Sequence, residues 1–502
     1  MQILDLIIIF GYLIGVTLFG VWFSSKQETT EDYFVGDRNV PWWAIAASIV
    51  ATETSTITFI SVPGIAFARN GNFEFLQIVF GYLCGRVVIS LLFIPMYFTG
   101  DLQTVYQLLG TRFGSKVKML ASALFVIMRN IADGIRLLLT AIVLSAVYVA
   151  FVPNASVETV IIGSIVLLGI VMIIFTYFGG MEAVIWVEVV QLGIYIGGAI
   201  AAAVVIAQQI DGGFSGAIAL GEQFNKFQIF DFTLDFTKTY TFWSGLIGGC
   251  FLTMSTHGTD QYLVQRYLCT NKPSRASLAL LSSGAVVLGQ FIGFLFIGVL
   301  LFAFYAPYNA AEYINAGVAG SGVPATLPFS GGDKVFPDFI TKVMPSGLSG
   351  LVIAAIFAAA LSSSLNSIAA TFVNDLYKPF AKDKTDRHLL KVSGWLTLFI
   401  GIVQIIVALV MMRQNRSALD NALSIASLFN GPVLGVFLVG AFVKKANETA
   451  ALTGMAASIL LILYIKFFTP LAWTWYVLVG SLTTLLVAWL ASLFVQNKGV
   501  KN

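Results

Sequence analysis

The sequence predicts an all-α polytopic membrane protein, and three observations carry that prediction. Of 502 residues, 58% are hydrophobic and only 11% are charged, whereas soluble domains carry about 25% charged residues. Apolar runs long enough to cross a bilayer recur along the chain, about 13 in all at roughly 20 residues per crossing. The Lys and Arg between them are biased to alternate segments, as the positive-inside rule requires.

The runs are read at 3–23, 43–68, 75–98, 119–150, 157–178, 184–207, 240–265, 277–305, 347–372, 391–411, 423–443, 449–467 and 473–494. The first lacks a basic leader and a small-residue cleavage site, so it reads as a retained helix and not a cleaved signal. Several runs exceed the minimum, which implies tilt or breaks. With the N-terminus outside and the C-terminus inside, the inner segments hold 17 Lys and Arg and the outer segments 8. Arg86, Arg129 and Arg136 lie within spans. The expected location is the cell's inner (plasma) membrane, crossed many times. Two long outer connections, 208–239 and 306–346, are either plain links or carriers of short helices over an external entrance.

Composition also excludes. Cys84, Cys250 and Cys269 each lie in or beside an apolar run and suggest neither a disulfide scaffold nor a metal cluster. His257 and His388 are too few for a His-rich metal centre. A net charge of +3 spread over loops argues against nucleic acid as a partner. No Gly-rich nucleotide-binding fingerprint is present, and nothing suggests an enzyme.

Polar residues at membrane depth are the candidate site, because hydrocarbon demands that each be paired, hydrated or bound to a ligand. After Pro41, Trp42 and Trp43, the second run turns polar at Thr52, Glu53, Thr54, Ser55, Thr56 and Thr58, then ends at Pro63 and Gly64. A spanning helix interrupted in this way is the usual form of an ion or solute site. In the fourth run, Arg129 and Arg136 share a helical face, with Asp133 within one turn of both. Either the three satisfy one another, or one arginine faces a cavity and grips an anionic or hydroxyl-rich solute. In the sixth run, Gly179 and Gly180 mark a break, and Glu188 stands a turn and a half beyond Glu182, where a carboxylate wants a cation or a donor. The seventh holds His257, Thr259, Asp260 and Gln261, either a proton relay or a helix-to-helix hydrogen bond. The ninth follows Ala354–Ala360 with Ser362, Ser363, Ser364, Asn366 and Ser367, a polar run denser than helix packing requires.

FVGDRNVPWW with ASIVATETS, then GGMEAVIWVEVVQ, GTDQYLVQR and LSSSLNS, four marks in order, resemble the sodium/solute symporter family over roughly residues 1–450. That family includes sodium-coupled sugar, sialic acid, proline, iodide, monocarboxylate and vitamin transporters. The resemblance implies an inverted repeat of five plus five helices, the leucine-transporter-type fold, with extra flanking helices. An N-terminal helix and inner loop would fill 1–40, the first repeat 41–239, the second 240–445, and extra C-terminal helices 446–502. The first helix of each half would be broken near mid-membrane.

The resemblance further implies uptake of a small polar solute, a sugar or an organic carboxylate such as sialic acid, driven by inward flow of Na+. A proton-coupled transporter of the same fold is the alternative, and a membrane sensor a more remote one. The principal sodium site would use Ala51 and Thr54 of the first core helix with Leu361, Ser362 and Ser363 of the eighth. The hydroxyl positions fall on Ser362 and Ser363 when counted forward from Gly347, and on Ala359 and Ala360 when counted back from Asp375; the forward count retains the hydroxyls. In members with a second ion, an acid matching Glu188 completes that site. Solute contacts match Ser55, Thr58, Arg129, Arg136, Gln261 and Tyr262. Glu53, Asp133, His257 and Asp260 are the gate or coupling candidates. A monomer in the bilayer is the expected working unit.

Overall fold

The computed structural model describes residues 2–23, 30–68, 70–100, 102–152, 154–305, 332, 335–361, 364–381, 385–412 and 418–494. The described chain is helical, its β pairing limited to one bridge between Asn39 and Thr270. The main helices are α1 (Ile3–Phe23), α2 (Trp42–Glu53), α3 (Thr56–Phe67), α4 (Leu76–Tyr97), α5 (Ser115–Phe151) and α6 (Val157–Gln208). There follow α7 (Gly249–Gly258), α8 (Gln261–Leu268), α9 (Pro273–Tyr305), α10 (Leu348–Leu361) and α11 (Leu365–Thr371). Last come α12 (Asp386–Met411), α13 (Ala418–Phe442), α14 (Glu448–Phe468) and α15 (Tyr476–Phe494).

Among the described residues, 8 apolar helical segments are long enough to cross a membrane. The bent pair α2 and α3 makes up to 9, and Ile3–Gly15, Leu348–Phe357 and Ala426–Phe442 are shorter apolar stretches. Helix α6 runs 52 residues, about 78 Å at 1.5 Å per residue, far more than one bilayer crossing. It carries two of the spans, Val157–Ile174 and Met181–Gln208. The expected break at Gly179-Gly180 is not seen in the backbone, which stays helical there; glycine weakens a helix by only about 1 kcal/mol.

Helix α6 packs one face against α1, α2, α5, α10 and α12. Its opposite face, with Ile196 and Ile200, is exposed and apolar, as a surface bathed by lipid tails should be. Small residues allow the tightest crossing. A Cβ on Gly81 of α4 would lie 2.2 Å from the Gly245 carbonyl oxygen, and one on Gly249 would lie 2.5 Å from that of Ile78.

Two charges at the edges tie the bundle together. Asp5 of α1 is buried and accepts hydrogen bonds from the backbone N–H groups of Gly347 (2.7 Å) and Gly350 (3.0 Å) and from the Ser349 hydroxyl (2.7 Å). It thereby satisfies orphan donors at the start of α10. In the 208–239 connection, a short helix at Gly213–Gln223 precedes Lys226. The Lys226 ammonium donates to the Ala66 (3.1 Å) and Ala68 (2.7 Å) carbonyls at the end of α3 and sits 4.3 Å from the Phe302 ring. Burial pushes its pKa down to about 8.

Candidate functional site

The polar interruption of the second run is a true break. Helix α2 ends at Glu53, α3 begins at Thr56, and their axes bend by 58°. The Ser55 hydroxyl caps α3 by accepting from Thr58 N–H (3.3 Å), as Ser does at helix starts. The Ser55 N–H turns to the Glu53 carbonyl (2.8 Å). These two bonds have a consequence one turn back. In a continuous helix, Ser55 N–H would serve the Ala51 carbonyl and Thr58 N–H that of Thr54. Both donors are spent elsewhere, so two carbonyl oxygens at membrane depth are left without their helical donors. The Thr54 hydroxyl bridges α2 to α9, its single proton within reach of either the Val50 carbonyl (2.7 Å) or Gln290 Oε1 (2.8 Å). The Thr58 hydroxyl donates to the Glu53 carbonyl (3.1 Å).

The second interruption is at Thr259 and Asp260, between α7 and α8. Asp260 caps α8 through Tyr262 N–H (2.8 Å). Gln261 bonds backbone groups of Val105 (2.8 Å) and Gln103 (3.0 Å), which fixes it to the connection after α4. His257 faces Glu53, not Asp260. Its Nε2 lies 2.8 Å from Glu53 Oε1 and its Nδ1 3.1 Å from the Tyr267 hydroxyl. Glu53 also pairs with Arg86 of α4. The two broken helices are thus joined at their breaks by a carboxylate held between a histidine and an arginine.

Arg129, Asp133 and Arg136 do form a cluster. Arg129 clasps Asp133 with Nε and Nη2 (3.2 and 3.1 Å), and Arg136 Nη1 approaches it at 3.6 Å. Asp133 also accepts from the Ser364 hydroxyl. Arg129 reaches on to Asp260 at 3.8 Å. Tyr262 lies among three guanidinium groups, those of Arg129, Arg136 and Arg266, at 3.9, 5.9 and 4.6 Å from its ring centre. Such contacts are favourable to a cation by cation–π attraction. Arg136 Nη1 also donates to the Tyr262 hydroxyl (3.4 Å).

Glu188 is fully buried, and Arg266 is its partner at 2.6 Å. Ser48 donates to its Oε2 and Thr52 to its Oε1 (3.1 Å). Arg266 Nε lies 3.3 Å from Oε2 and also donates to Ser48 (2.9 Å). The count of 17 inner Lys and Arg includes Arg266, and the structure corrects that placement. Arg266 is no inner-loop cation but a buried one, placed inward because α8 follows a helix break and runs within the bundle.

The remaining polar run is shared glue. Ser367 donates to Gln265 Oε1 (2.6 Å), and Gln265 Nε2 donates to Asn366 (3.1 Å) and the Phe34 carbonyl (2.6 Å). Leu361 ends α10; Ser362 and Ser363, the expected sodium hydroxyls, lie outside the described residues. The sequence did not single out Arg86, Arg266 as a site partner, or Gln290. Only Arg86 carried a signal, as a cation inside a span.

Residues 33–458 match the sodium:solute symporter family. The chain belongs to that family. Such proteins couple sodium to solute uptake; this one is accordingly a transporter in the membrane, not an enzyme, and Na+ is its coupling ion. It is 31% identical to the sodium/sialic acid symporter NanT of Aliivibrio fischeri, over 98% of this chain and 94% of that one. It is also 31% identical to the sodium/sialic acid symporter SiaT of Proteus mirabilis, over 98% and 95%. The human sodium/iodide cotransporter is 27% identical over 90% and 68%. Among solved structures, a Na+-coupled sialic acid symporter in a substrate-bound outward-open state superimposes with a TM-score of 0.84 at 30% identity, covering 98% of each chain. MhsT, solved in complex with L-phenylalanine, shares the fold at a TM-score of 0.55 and 16% identity.

Proposed function

We propose that this symporter takes up a sugar carboxylate of the sialic acid class together with sodium. The observation that carries the sodium half is the pair of carbonyls at Ala51 and Thr54, both deprived of helical donors by the break. A hard cation takes such oxygens. In this reading Ala51 and Thr54 hold the ion from α2, and Leu361, Ser362 and Ser363 hold it from the end of α10. Glu188 is left out of the ligand set because Arg266, Ser48 and Thr52 already bond its carboxylate.

The solute half rests on chemistry beside the break. Ser55 and Thr58 offer hydroxyls suited to a sugar, and Arg136 holds Asp133 more loosely than Arg129 does, which leaves donors for a carboxylate. The sialic acid relatives support the same class. Gln261 and Tyr262 stand at the second break as the inner gate. Glu53, His257, Asp133 and Asp260 link the two breaks and transmit closure. Sodium and solute then favour each other's binding reciprocally, and each sodium entering contributes about 2.3 kcal/mol per 100 mV.

The architecture that goes with this function has about 13 spans. The proposed division is a first repeat over 41–239 and a second over 240–445, flanked by 1–40 and 446–502. The N-terminus lies outside, the C-terminus inside, and a monomer in the inner (plasma) membrane does the work.

The test is uptake into proteoliposomes over a panel of sialic acid, neutral sugars, amino acids and monocarboxylates, with sodium or with a proton gradient alone. Sodium-dependent accumulation of sialic acid is the expected result. Accumulation driven by protons without sodium, or of a neutral sugar in preference to sialic acid, sinks the proposal.

A further inference from the structure

Glu188, Gln191 and Tyr195 lie three and four residues apart on α6, so they share one helical face. The ladder spans about 10 Å at 1.5 Å per residue. Its first rung is closed, since Glu188 and Arg266 neutralise one another. The next two rungs are not. Gln191 and Tyr195 are fully buried, yet Gln191 Oε1, Gln191 Nε2 and the Tyr195 hydroxyl have no hydrogen-bond partner. The Tyr12 hydroxyl of α1 is buried beside them, with Gln191 as its polar neighbour and no close hydrogen bond.

These groups converge on one place. Tyr12 lies against Gln191, and the Tyr195 hydroxyl has Tyr12, Glu188, Arg136 and Tyr262 as its ionisable neighbours. Tyr195 packs on Ala51 of α2 and Ala355 of α10, with Tyr12 and Leu192 beside them. An unpaired polar group at this depth is costly. Here four buried polar atoms without a close hydrogen bond, Tyr12 and Gln191 facing one another among them, gather beside Ala51. Three are oxygens, the ligand type a sodium ion prefers. The side facing Glu188 adds no net charge, because Arg266 is paired there.

We propose that Tyr12, Gln191 and Tyr195 form a cage that receives a partly hydrated sodium ion stepping inward from Ala51. It is a station on the way out, not the resting site. The ion leaves the Ala51 carbonyl for the Gln191 and tyrosine oxygens and keeps some of its own water, which occupies the Gln191 amide donor. Glu188 cannot serve as that station while Arg266 holds it. This inference rests on Ala51 and Thr54 being the principal sodium ligands.

The test compares two modes of transport in proteoliposomes, using the panel solute that shows sodium-dependent uptake. Net uptake needs sodium to be released inside. Counterflow, with equal sodium on both sides and unlabelled solute within, proceeds without that release. The double variant Gln191→Leu with Tyr195→Phe should slow net uptake about tenfold, a barrier increase of about 1.4 kcal/mol. Counterflow and the sodium concentration for half-maximal thermal stabilisation should stay as in the wild type. Tyr195→Phe alone keeps the ring against Ala51 and should show the same split more weakly. Unchanged net uptake means the cage holds water only and overturns the proposal. An equal fall in both modes means the groups merely shape the bundle, and overturns it too. If the wild type shows no sodium dependence at all, the principal site itself is wrong and the cage falls with it.

Discussion

The protein buries two arginine–carboxylate clusters at membrane depth, and they are built differently. Around Glu188, one cation meets one anion, both almost wholly shielded, and each carboxylate oxygen has two donors. Around Asp133, two arginines share one carboxylate and one of them, Arg129, reaches a second, with longer contacts of 3.6 and 3.8 Å and arginine side chains 11% and 13% exposed. The first cluster is complete within itself. The second has donors to spare. Buried charges at full closure hold a bundle in register, while an open cluster beside a helix break is where a charged solute finds partners.

Five substitutions sharpen or break this contrast, from the largest effect down. Arg266→Met strands the Glu188 carboxylate in the interior and should cost about 3–5 kcal/mol of stability. Detergent-solubilised protein would show it as a large fall in melting temperature, partly restored by adding Glu188→Leu. A variant that melts like wild type would mean Glu188 has another cation available. Arg136→Gln should instead leave stability nearly intact and raise the solute concentration for half-maximal uptake. A lost charge-assisted bond of about 1.5–3 kcal/mol corresponds to roughly 10- to 150-fold. Equal weakening for a carboxylate solute and its neutral amide would remove Arg136 from the solute site.

Ser55→Ala and Thr58→Ala each remove one neutral hydroxyl. Each should weaken solute binding about 2- to 12-fold, from a bond of about 0.5–1.5 kcal/mol, with half-saturation in uptake assays as the readout. The smallest effect belongs to the exposed pair Lys238–Asp231, with Lys238 53% exposed. Lys238→Met should change stability by less than about 1 kcal/mol and leave transport alone. A larger loss would show that exposed charges steady this bundle as well as buried ones.

Lys226 adds a pH dependence with a definite sign. Its folded value near 8 lies below the 10.5 of a free lysine. As pH rises between those values the unfolded chain binds more protons, so stability increases with pH through that window. Melting curves from pH 7 to 10 should rise in the wild type relative to Lys226→Met, which lacks the slope.

Local features were legible in the sequence. Hydroxyls and an acid inside an apolar run located the break at Thr54–Ser55, and His257 to Gln261 located the one at Thr259–Asp260. Spacing alone put Asp133 against both Arg129 and Arg136. Partnerships across the bundle were not legible. Arg266 and Glu188 are 78 residues apart, and no periodicity reports which helix faces which. The same reason hid Arg86 from Glu53, and it left the helix-to-helix hydrogen bond read for His257 without its partner, Glu53 on α2. Asp5 reads as a stray acid in the first run until the start of α10 is placed beside it.

The bend between α2 and α3 sorts charge by sign. The end of α2 turns carbonyl oxygens, and with them the negative pole of a helix dipole, towards the gap. The start of α3 turns N–H groups and a positive pole towards the same gap. A cation is drawn to one lip and a carboxylate to the other, only a few residues apart along the chain. A driving ion and an acidic solute would therefore need no separate attractors: one interrupted helix polarises the space between them, and each, once bound, would favour the entry of the other.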